Sequence, residues 1–166
     1  MFSDGVFGLF SRVSYVVCIE CGGFVSHRAE LVAALEAVGS PTFVCLNETL
    51  LPGVKAMRVI GLLGYSLVSR LDRRDNSAWG GIAMFAKFGY EECIAHVSDS
   101  ENAERSWHIL HTDRGPIVVA VWSRRPCPGE VDSIRSLEHE MRALGGDTVG
   151  TLIVGDLNVH NAAWLR

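Results

Sequence analysis

Apolar residues come in short blocks set off by glycine, proline and clusters of charge, and the spacing inside each block predicts its element. Ser14 to Ile19 is rich in β-branched and aromatic residues and reads as a strand, ended by Glu20, Cys21, Gly22 and Gly23. Ser26 is placed to cap a helix, because its hydroxyl can accept from a free amide of the first turn. Leu31, Leu35 and Val38 then recur at helical spacing, and Gly39 is a suitable stop. Pro41 leads into a second strand, Thr42 to Leu46, which delivers Asn47, Glu48 and Thr49 at its end. The result is a β-α-β unit with polar residues at both strand ends, the edge at which α/β sheets usually bind ligands.

Further along, Leu50 to Gly64 is ambiguous, with one helical turn expected around Val54 to Val59. Tyr65 to Leu71 alternates as a strand. A polar loop, Asp72 to Ser77, separates it from a strand over Gly80 to Phe85, whose glycines permit a bulge or a close backbone approach. Cys93 to Val97 is a short apolar piece. Trp107 to Thr112 and Ile117 to Trp122 predict a hairpin turned at Asp113, Arg114 and Gly115. Pro126 and Pro128 break the chain. Val131, Ile134, Leu137, Met141 and Leu144 give Glu130 to Leu144 a helical period, stopped by Gly145 and Gly146. Hairpins mixed with helices between strands predict a layered α/β sandwich rather than a barrel. A domain over residues 14–166, behind a 13-residue N-terminal extension, is expected.

The closing stretch carries the sharpest chemistry. Leu152, Ile153 and Val154 read as a buried strand that Gly155 ends. Asp156 and Asn158 follow two residues apart, so an extended backbone would turn both to one side. Taken alone, Asp and Asn after a strand are ordinary turn residues.

Composition narrows the field. With 166 residues, 48% hydrophobic and 20% charged, the chain suits one globular domain. A net charge of −4 gives no global basic signal for nucleic acid, although carboxylate ligands make metal-dependent phosphate sites acidic locally. No apolar run approaches the roughly eighteen residues of a transmembrane helix, and the N-terminus lacks a signal-peptide pattern. The expectation is an intracellular protein with no membrane partner. Five scattered cysteines fit reduced thiols, and the Cys18–Cys21 pair lacks the second pair a zinc site needs. Two small buried side chains are expected there instead. His96, His108 and His111, in or beside apolar strands, are expected to be structural.

Glu48 and Asp156 lie at two strand ends that can meet on one sheet edge, where a pair of carboxylates suits a hard divalent ion such as magnesium. A metal beside a phosphate stabilises charge developing in phosphoryl transfer, while a carboxylate aligns or deprotonates water. Asn158 has a donor for a phosphate oxygen. Arg70, Arg73 and Arg74 form a basic cluster with Asp72 and Asp75 between them, read either as a solvated loop or as a DNA-backbone contact.

Gly155-Asp156-Leu157-Asn158, with Leu46-Asn47-Glu48-Thr49 upstream, resembles the endonuclease/exonuclease/phosphatase family. The extension Val159 to Trp164, with His160 and Trp164, is similar to that in the apurinic-endonuclease-type endonuclease domains of non-LTR retrotransposons. The resemblance runs through most of the chain: the strand at Tyr15, the helix at Arg28 to Leu31, the Gly80 to Ala83 strand and Val119 to Trp122. It implies a layered α/β sandwich that cuts phosphodiesters or phosphomonoesters with Mg2+, or Mn2+ in its place. It further implies Glu48 as metal ligand, Asp156 positioning the attacking water and Asn158 on the scissile phosphate. His160 and Trp164 would shape the site, and Trp122, Arg73 and Arg74 would face substrate. DNA is the implied partner, with a reverse transcriptase alongside and a nuclear location.

Three departures from the family pattern stand out. Glu20, ahead of Gly23, occupies the place of an Asn; ionised, it cannot donate, but it can add a metal ligand. Trp122 stands where a catalytic Tyr is usual. The family's late Ser-Asp-His motif and the strands around it are not found within the 166 residues, which predicts a shortened domain of impaired activity. A DNA endonuclease of the retroelement type is the leading reading. An apurinic/apyrimidinic repair endonuclease, a phosphomonoesterase and a non-catalytic remnant or binding module are the alternatives.

Overall fold

A computed structural model describes residues 15–51, 60–72, 80–126 and 131–158. Two four-stranded sheets stack face to face between two helices. The first holds β1 (Val16–Glu20), β2 (Phe43–Asn47), β3 (Tyr65–Leu71) and β4 (Ile82–Lys87), in the order β1-β2-β4-β3. The second holds β5 (Ile94–Asp99), β6 (Glu104–Thr112), β7 (Gly115–Ser123) and β8 (Gly150–Val154), in chain order. Helix α1 (Phe24–Ala37) follows β1, and α2 (Asp132–Leu144) precedes β8. The layered α/β sandwich expected from the pattern is the fold, and neither sheet closes into a barrel.

The alternation along β2 explains the layering. Val44 and Leu46 point to α1 and pack with Phe24, Leu31 and Leu35. Phe43 and Cys45 point the other way, to Leu110, Val119 and Val121 of the second sheet. A strand covered on both faces must be apolar throughout, and β2 is buried along its whole length. Phe24 stacks on Phe85 with ring centroids 5.8 Å apart, fixing α1 against β4. On the far side, Leu137, Met141 and Leu144 of α2 cover Trp107, Val118 and Ala120.

Several local expectations need correction. Ser26 does not cap α1; the helix starts earlier, behind Gly23, and the Ser26 hydroxyl donates back to the Gly23 carbonyl at 3.1 Å. Val38 follows the helix and is exposed, as are Val131 and Ile134, because α2 begins only at Asp132 and turns Leu137, Met141 and Leu144 inward. Cys18 is exposed, whereas Cys21 is buried as expected; both are free thiols. His108 is buried, but His111 is exposed. The closing strand β8 is only partly buried, because it is bonded to β7 on one side and is outermost in its sheet. The turn expected around Val54 to Val59 lies outside the described residues.

Parallel pairing sets the geometry of the polar edge. β1 runs parallel to β2, so Glu20 sits opposite Asn47, and β8 runs parallel to β7, so Val154 sits opposite Val121. The sheets contact each other through β2 with β7 and through β3 with β5 and β6, which brings β1 and β8 to the same side. All four of these strands therefore deliver their C-terminal ends to one edge.

Between the sheets lies one ionisable group with a pH consequence. His108 of β6 is fully buried, and its Nε2 shares a 2.6 Å hydrogen bond with the Ser69 hydroxyl of β3. Its Nδ1 has no partner among the described residues. Burial, then the neighbouring His96 charge, holds its pKa at about 4. Between pH 4 and about 6.5 the unfolded chain binds a proton that the folded chain refuses, so stability is full above this window and falls as pH drops through it. The expected loss is about 3 kcal/mol. Urea unfolding at several pH values checks this: His108→Gln should flatten the slope across that window by close to one proton, and an unchanged slope would refute the assignment.

Candidate active site

Glu48 is the first residue past the β2 ladder and adopts a left-handed backbone, φ 54°, as does Leu50 at φ 51°. Such angles are uncommon for non-glycine residues and need support from their surroundings. Here the support comes from the turn ahead of β4. Gly80 N donates to Glu48 Oε2 at 2.7 Å, Thr49 N donates to Gly81 O at 3.1 Å, and Leu50 N donates to Gly80 O at 2.9 Å. From the other side, Gly23 N donates to the Glu48 carbonyl at 2.8 Å and Phe24 N to the Thr49 carbonyl at 2.9 Å. The start of α1 is thereby tied to the Glu48 segment. The Glu48 carboxylate is half-buried, held by one oxygen.

The Asp156 turn is built differently from the extended arrangement expected. Asn158 has φ 44°, and this turn, rather than strand geometry, brings the two side chains together. Asn158 Nδ2 donates to Asp156 Oδ2 at 2.7 Å, and Asn158 N donates to Asp156 Oδ1 at 3.2 Å. Arg124, just past β7, completes the loop. Its N–H donates to the Asp156 carbonyl at 2.8 Å, its carbonyl accepts from Asn158 Nδ2 at 2.7 Å, and its Nη1 donates to the Asn158 carbonyl at 3.2 Å.

Asn47 joins these two halves. It is almost fully buried at the end of an apolar strand. Its Nδ2 donates to the Trp122 carbonyl at 3.2 Å, linking the first sheet to β7 of the second. Its Oδ1 accepts from the Cys18 thiol at 3.6 Å, and its carbonyl accepts from Cys21 N at 3.0 Å. Although Cys18 is exposed as a residue, its sulfur turns inward. Burial first, then the Asp156 charge, pushes its thiol up to about 11. Burial also raises the Cys21 thiol; nearby backbone amides oppose the shift, and the charges of Glu48 and Glu20 add to it. Both cysteines are therefore protonated at neutral pH, which bars them from a thiolate role. Cys21 Sγ also donates to the Glu48 carbonyl at 3.4 Å, holding β1 to the Glu48 segment.

Beneath the site, Trp122 is buried with the Arg105 guanidinium 4.6 Å from its ring centre. Arg105 is itself fully buried. It donates to Glu140 Oε2 from Nε at 3.0 Å and from Nη2 at 2.9 Å, to the Ser133 carbonyl at 3.0 Å and to Ser136 Oγ at 2.9 Å. Trp107 Nε1 and Ser100 Oγ also donate to Glu140, at 2.6 and 2.7 Å. Burial pushes the Glu140 carboxyl up, but these donors and the Arg105 charge outweigh it and hold it below its ordinary value. The network anchors α2 to β6, and Arg124 Nε extends it to Ser133 at 3.4 Å.

Glu20 and Glu48 thus follow strands of the first sheet, and Asp156 and Asn158 follow β8 of the second, at the edge where the Asn47–Trp122 bond joins the sheets. Glu20 is exposed at the end of β1. Trp122 reaches this edge through its carbonyl, while its indole lies in the Arg105 network. Arg73, Arg74 and His160 lie outside the described residues, and Arg70 is ion-paired with Asp72. Asn47, Arg124 and Glu104 escaped the sequence reading. A carboxamide closing a fully apolar strand was the available signal for Asn47; neither of the others carries a local one. Among the described residues no three or more His, Cys, Asp or Glu side chains group around a common metal position. Magnesium commonly uses one or two protein carboxylates and completes its shell with water and phosphate, and the hard oxygens of Glu48 and Glu20 fit that requirement.

A profile of the Endonuclease/Exonuclease/phosphatase family matches residues 21–166. Solved structures share the fold. An AP endonuclease from Archaeoglobus fulgidus aligns with TM-score 0.62 and 14% identity, over 92% of this chain and 63% of that one. The AP endonuclease LMAP from Leishmania major aligns with TM-score 0.62 and 18% identity, over 90% and 56%. The endonuclease domain of TRAS1, a telomere-specific non-LTR retrotransposon, aligns with TM-score 0.60 and 13% identity, over 92% and 62%. The chain therefore spans less than two thirds of the length of these structures. No curated protein sequence matches it.

The junction of the two halves tolerates no side chain at Gly155. It sits at φ 136°, and a Cβ there would meet the Trp122 carbonyl oxygen at 1.9 Å and Asn47 Nδ2 at 3.0 Å. Gly155→Ala is expected to lower the unfolding free energy by about 2–4 kcal/mol, as strain and a lost buried hydrogen bond combine. Chemical denaturation checks this, and a change below about 0.5 kcal/mol would count against the close approach.

Proposed function

The chain belongs to the endonuclease/exonuclease/phosphatase family, and on that premise we propose that it derives from a magnesium-dependent DNA endonuclease of the retroelement type. The observation that carries this is that Glu48 follows β2 of one sheet and the Asp156–Asn158 pair follows β8 of the other, at an edge where Asn47, next to Glu48, bonds across to the Trp122 carbonyl. The fold likeness to a retrotransposon endonuclease domain and to AP endonucleases supports a phosphodiester substrate over a phosphomonoester. Action alongside a reverse transcriptase, in the nucleus, belongs to the same reading. No helix among the described residues is long and apolar enough to cross a membrane.

In this mechanism Glu48, with Glu20 as a second carboxylate, would hold a divalent ion, magnesium or manganese in its place. When bound, the ion neutralises charge developing on the phosphate. Gly80 N–H holds one Glu48 oxygen, which orients the carboxylate. Asp156 accepts a proton from, or aligns, the attacking water. Asn158 exchanges one of its two internal acceptors for a phosphate oxygen. Arg73, Arg74 and His160 are assigned to the DNA strand; Trp122, with its indole buried and its carbonyl taken by Asn47, supports the edge from within and is given no substrate contact.

Incubation of supercoiled plasmid and of an abasic duplex with the 166-residue chain tests the reading. Slow nicking that needs Mg2+ or Mn2+ and stops with chelator is expected, and Glu48→Gln should reduce it about a hundredfold or more. Release of phosphate from soluble monoesters without nicking would replace the endonuclease with a phosphomonoesterase. Neither reaction with either metal would overturn catalysis and favour a binding module.

A further inference from the structure

The β4 ladder begins at Ile82, which pairs with Asn47 on one side and Leu71 on the other. Gly80 and Gly81 precede it, so their N–H groups lie beyond the ladder, and both residues are buried. A buried amide without a strand partner must find an acceptor elsewhere. Gly80 N finds Glu48 Oε2 at 2.7 Å, and Gly81 N finds Glu104 Oε1 at 2.7 Å. Two successive amides are thus held by two glutamates, one past the end of β2 in the first sheet and one opening β6 in the second.

We propose that Glu104 is a positioning residue for Glu48, a role that rests on reading Glu48 as the metal-binding carboxylate. Glu104 fixes the Gly80–Gly81 turn, and the turn fixes Glu48. The same two glycines offer their carbonyls to Leu50 N and Thr49 N, so four backbone amides beyond the ladders depend on this one turn. Glu48 and Leu50 hold left-handed backbone angles that nothing local favours. Gly81 also lies so close to Thr49 that a Cβ would meet Thr49 Oγ1 at 2.3 Å, leaving the turn no room to shift toward the site. The second sheet therefore reaches across the sandwich to set the carboxylate delivered by the first. Its acceptor is charged, which strengthens the bond it makes to a neutral amide.

Glu104→Ala and Glu104→Gln in the full 166-residue chain separate this role from a general structural one. Amide hydrogen exchange at Gly80, Gly81, Thr49 and Leu50 is the first measurement. Alanine removes the acceptor and should speed exchange at these four amides roughly tenfold or more, whereas glutamine keeps a neutral acceptor and should stay within about fivefold of wild type. Amides of α1 beyond its first turn, and of α2, should not change, whereas Gly23 and Phe24, bonded to the Glu48 and Thr49 carbonyls, are left out of this control. Faster exchange throughout the chain, no change in the alanine variant, or a glutamine variant as fast as alanine would each overturn the proposal. Mn2+ binding followed by electron paramagnetic resonance is the second measurement, with about tenfold weaker binding expected for alanine and partial recovery for glutamine. Absence of Mn2+ binding by the wild type would overturn the metal reading of Glu48, and the exchange data would still decide the role of Glu104.

Discussion

The hydrogen bond from Asn47 Nδ2 to the Trp122 carbonyl is the link on which the site depends. It joins a strand end of one sheet to a strand end of the other, inside a region from which water is excluded. A buried carboxamide left without partners would cost several kcal/mol, so the bond is a condition for the two sheets to close at this edge. Gly155 is part of the same joint. Only a residue without a Cβ lets β8 pass the Trp122 carbonyl, and the turn that follows at once carries Asp156. Closing the edge and bringing Asp156 near β1 are one event.

The two sides of the site draw on different sources of order. Glu48 owes its place to backbone hydrogen bonds from the Gly80–Gly81 turn and from the start of α1. Asp156 and Asn158 owe theirs to Arg124, which in turn touches Ser133 at the start of α2. Beneath them Arg105 and Glu140 form a buried ion pair with further donors from Trp107, Ser100 and Ser136. Burying an ion pair is weak evidence for stability, since desolvation offsets the attraction. What such a pair does supply is a fixed orientation: the planar guanidinium, packed against Trp122, can meet Glu140 in few ways.

Much of this was legible in the sequence because it is written in local periodicity. The apolar run of β2, the alternation of β3, the spacing of Leu31 and Leu35 in α1 and the hairpin of β6 and β7 all depend on neighbours a few residues apart. The layered sandwich followed from their order; Glu48 and Asp156 were expected on the edge of one sheet, whereas they follow strands of two different sheets, and only the stacking of those sheets delivers both to one side. The errors have a common physical origin. Ser26 has the chemistry of a cap, but the chain bends one turn earlier, at Gly22 and Gly23, where Gly23 N is pinned by the Glu48 carbonyl, a partner remote in sequence. Val131 and Ile134 fit a helical period that begins before the helix does. Leu152 reads as core from its own chemistry, whereas its exposure is set by the position of β8 at the edge of a sheet. Asn47, Glu104 and Arg124 matter through contacts that span tens of residues, and no local pattern records such contacts.

The self-contained Asp156–Asn158 turn sets a threshold for whatever binds there. Both hydrogens of the Asn158 carboxamide already have acceptors, one a carboxylate oxygen and the other a carbonyl. An incoming molecule must displace one of them, and a weak neutral acceptor gains nothing by the exchange. An anionic oxygen gains only where it displaces the neutral Arg124 carbonyl, because a charge-assisted hydrogen bond is roughly twice as strong as a neutral one and the bond to the Asp156 carboxylate is already of that kind. The turn as it stands leaves neither hydrogen of the Asn158 carboxamide without an acceptor, so its hydrogen bonding is complete before anything else is added.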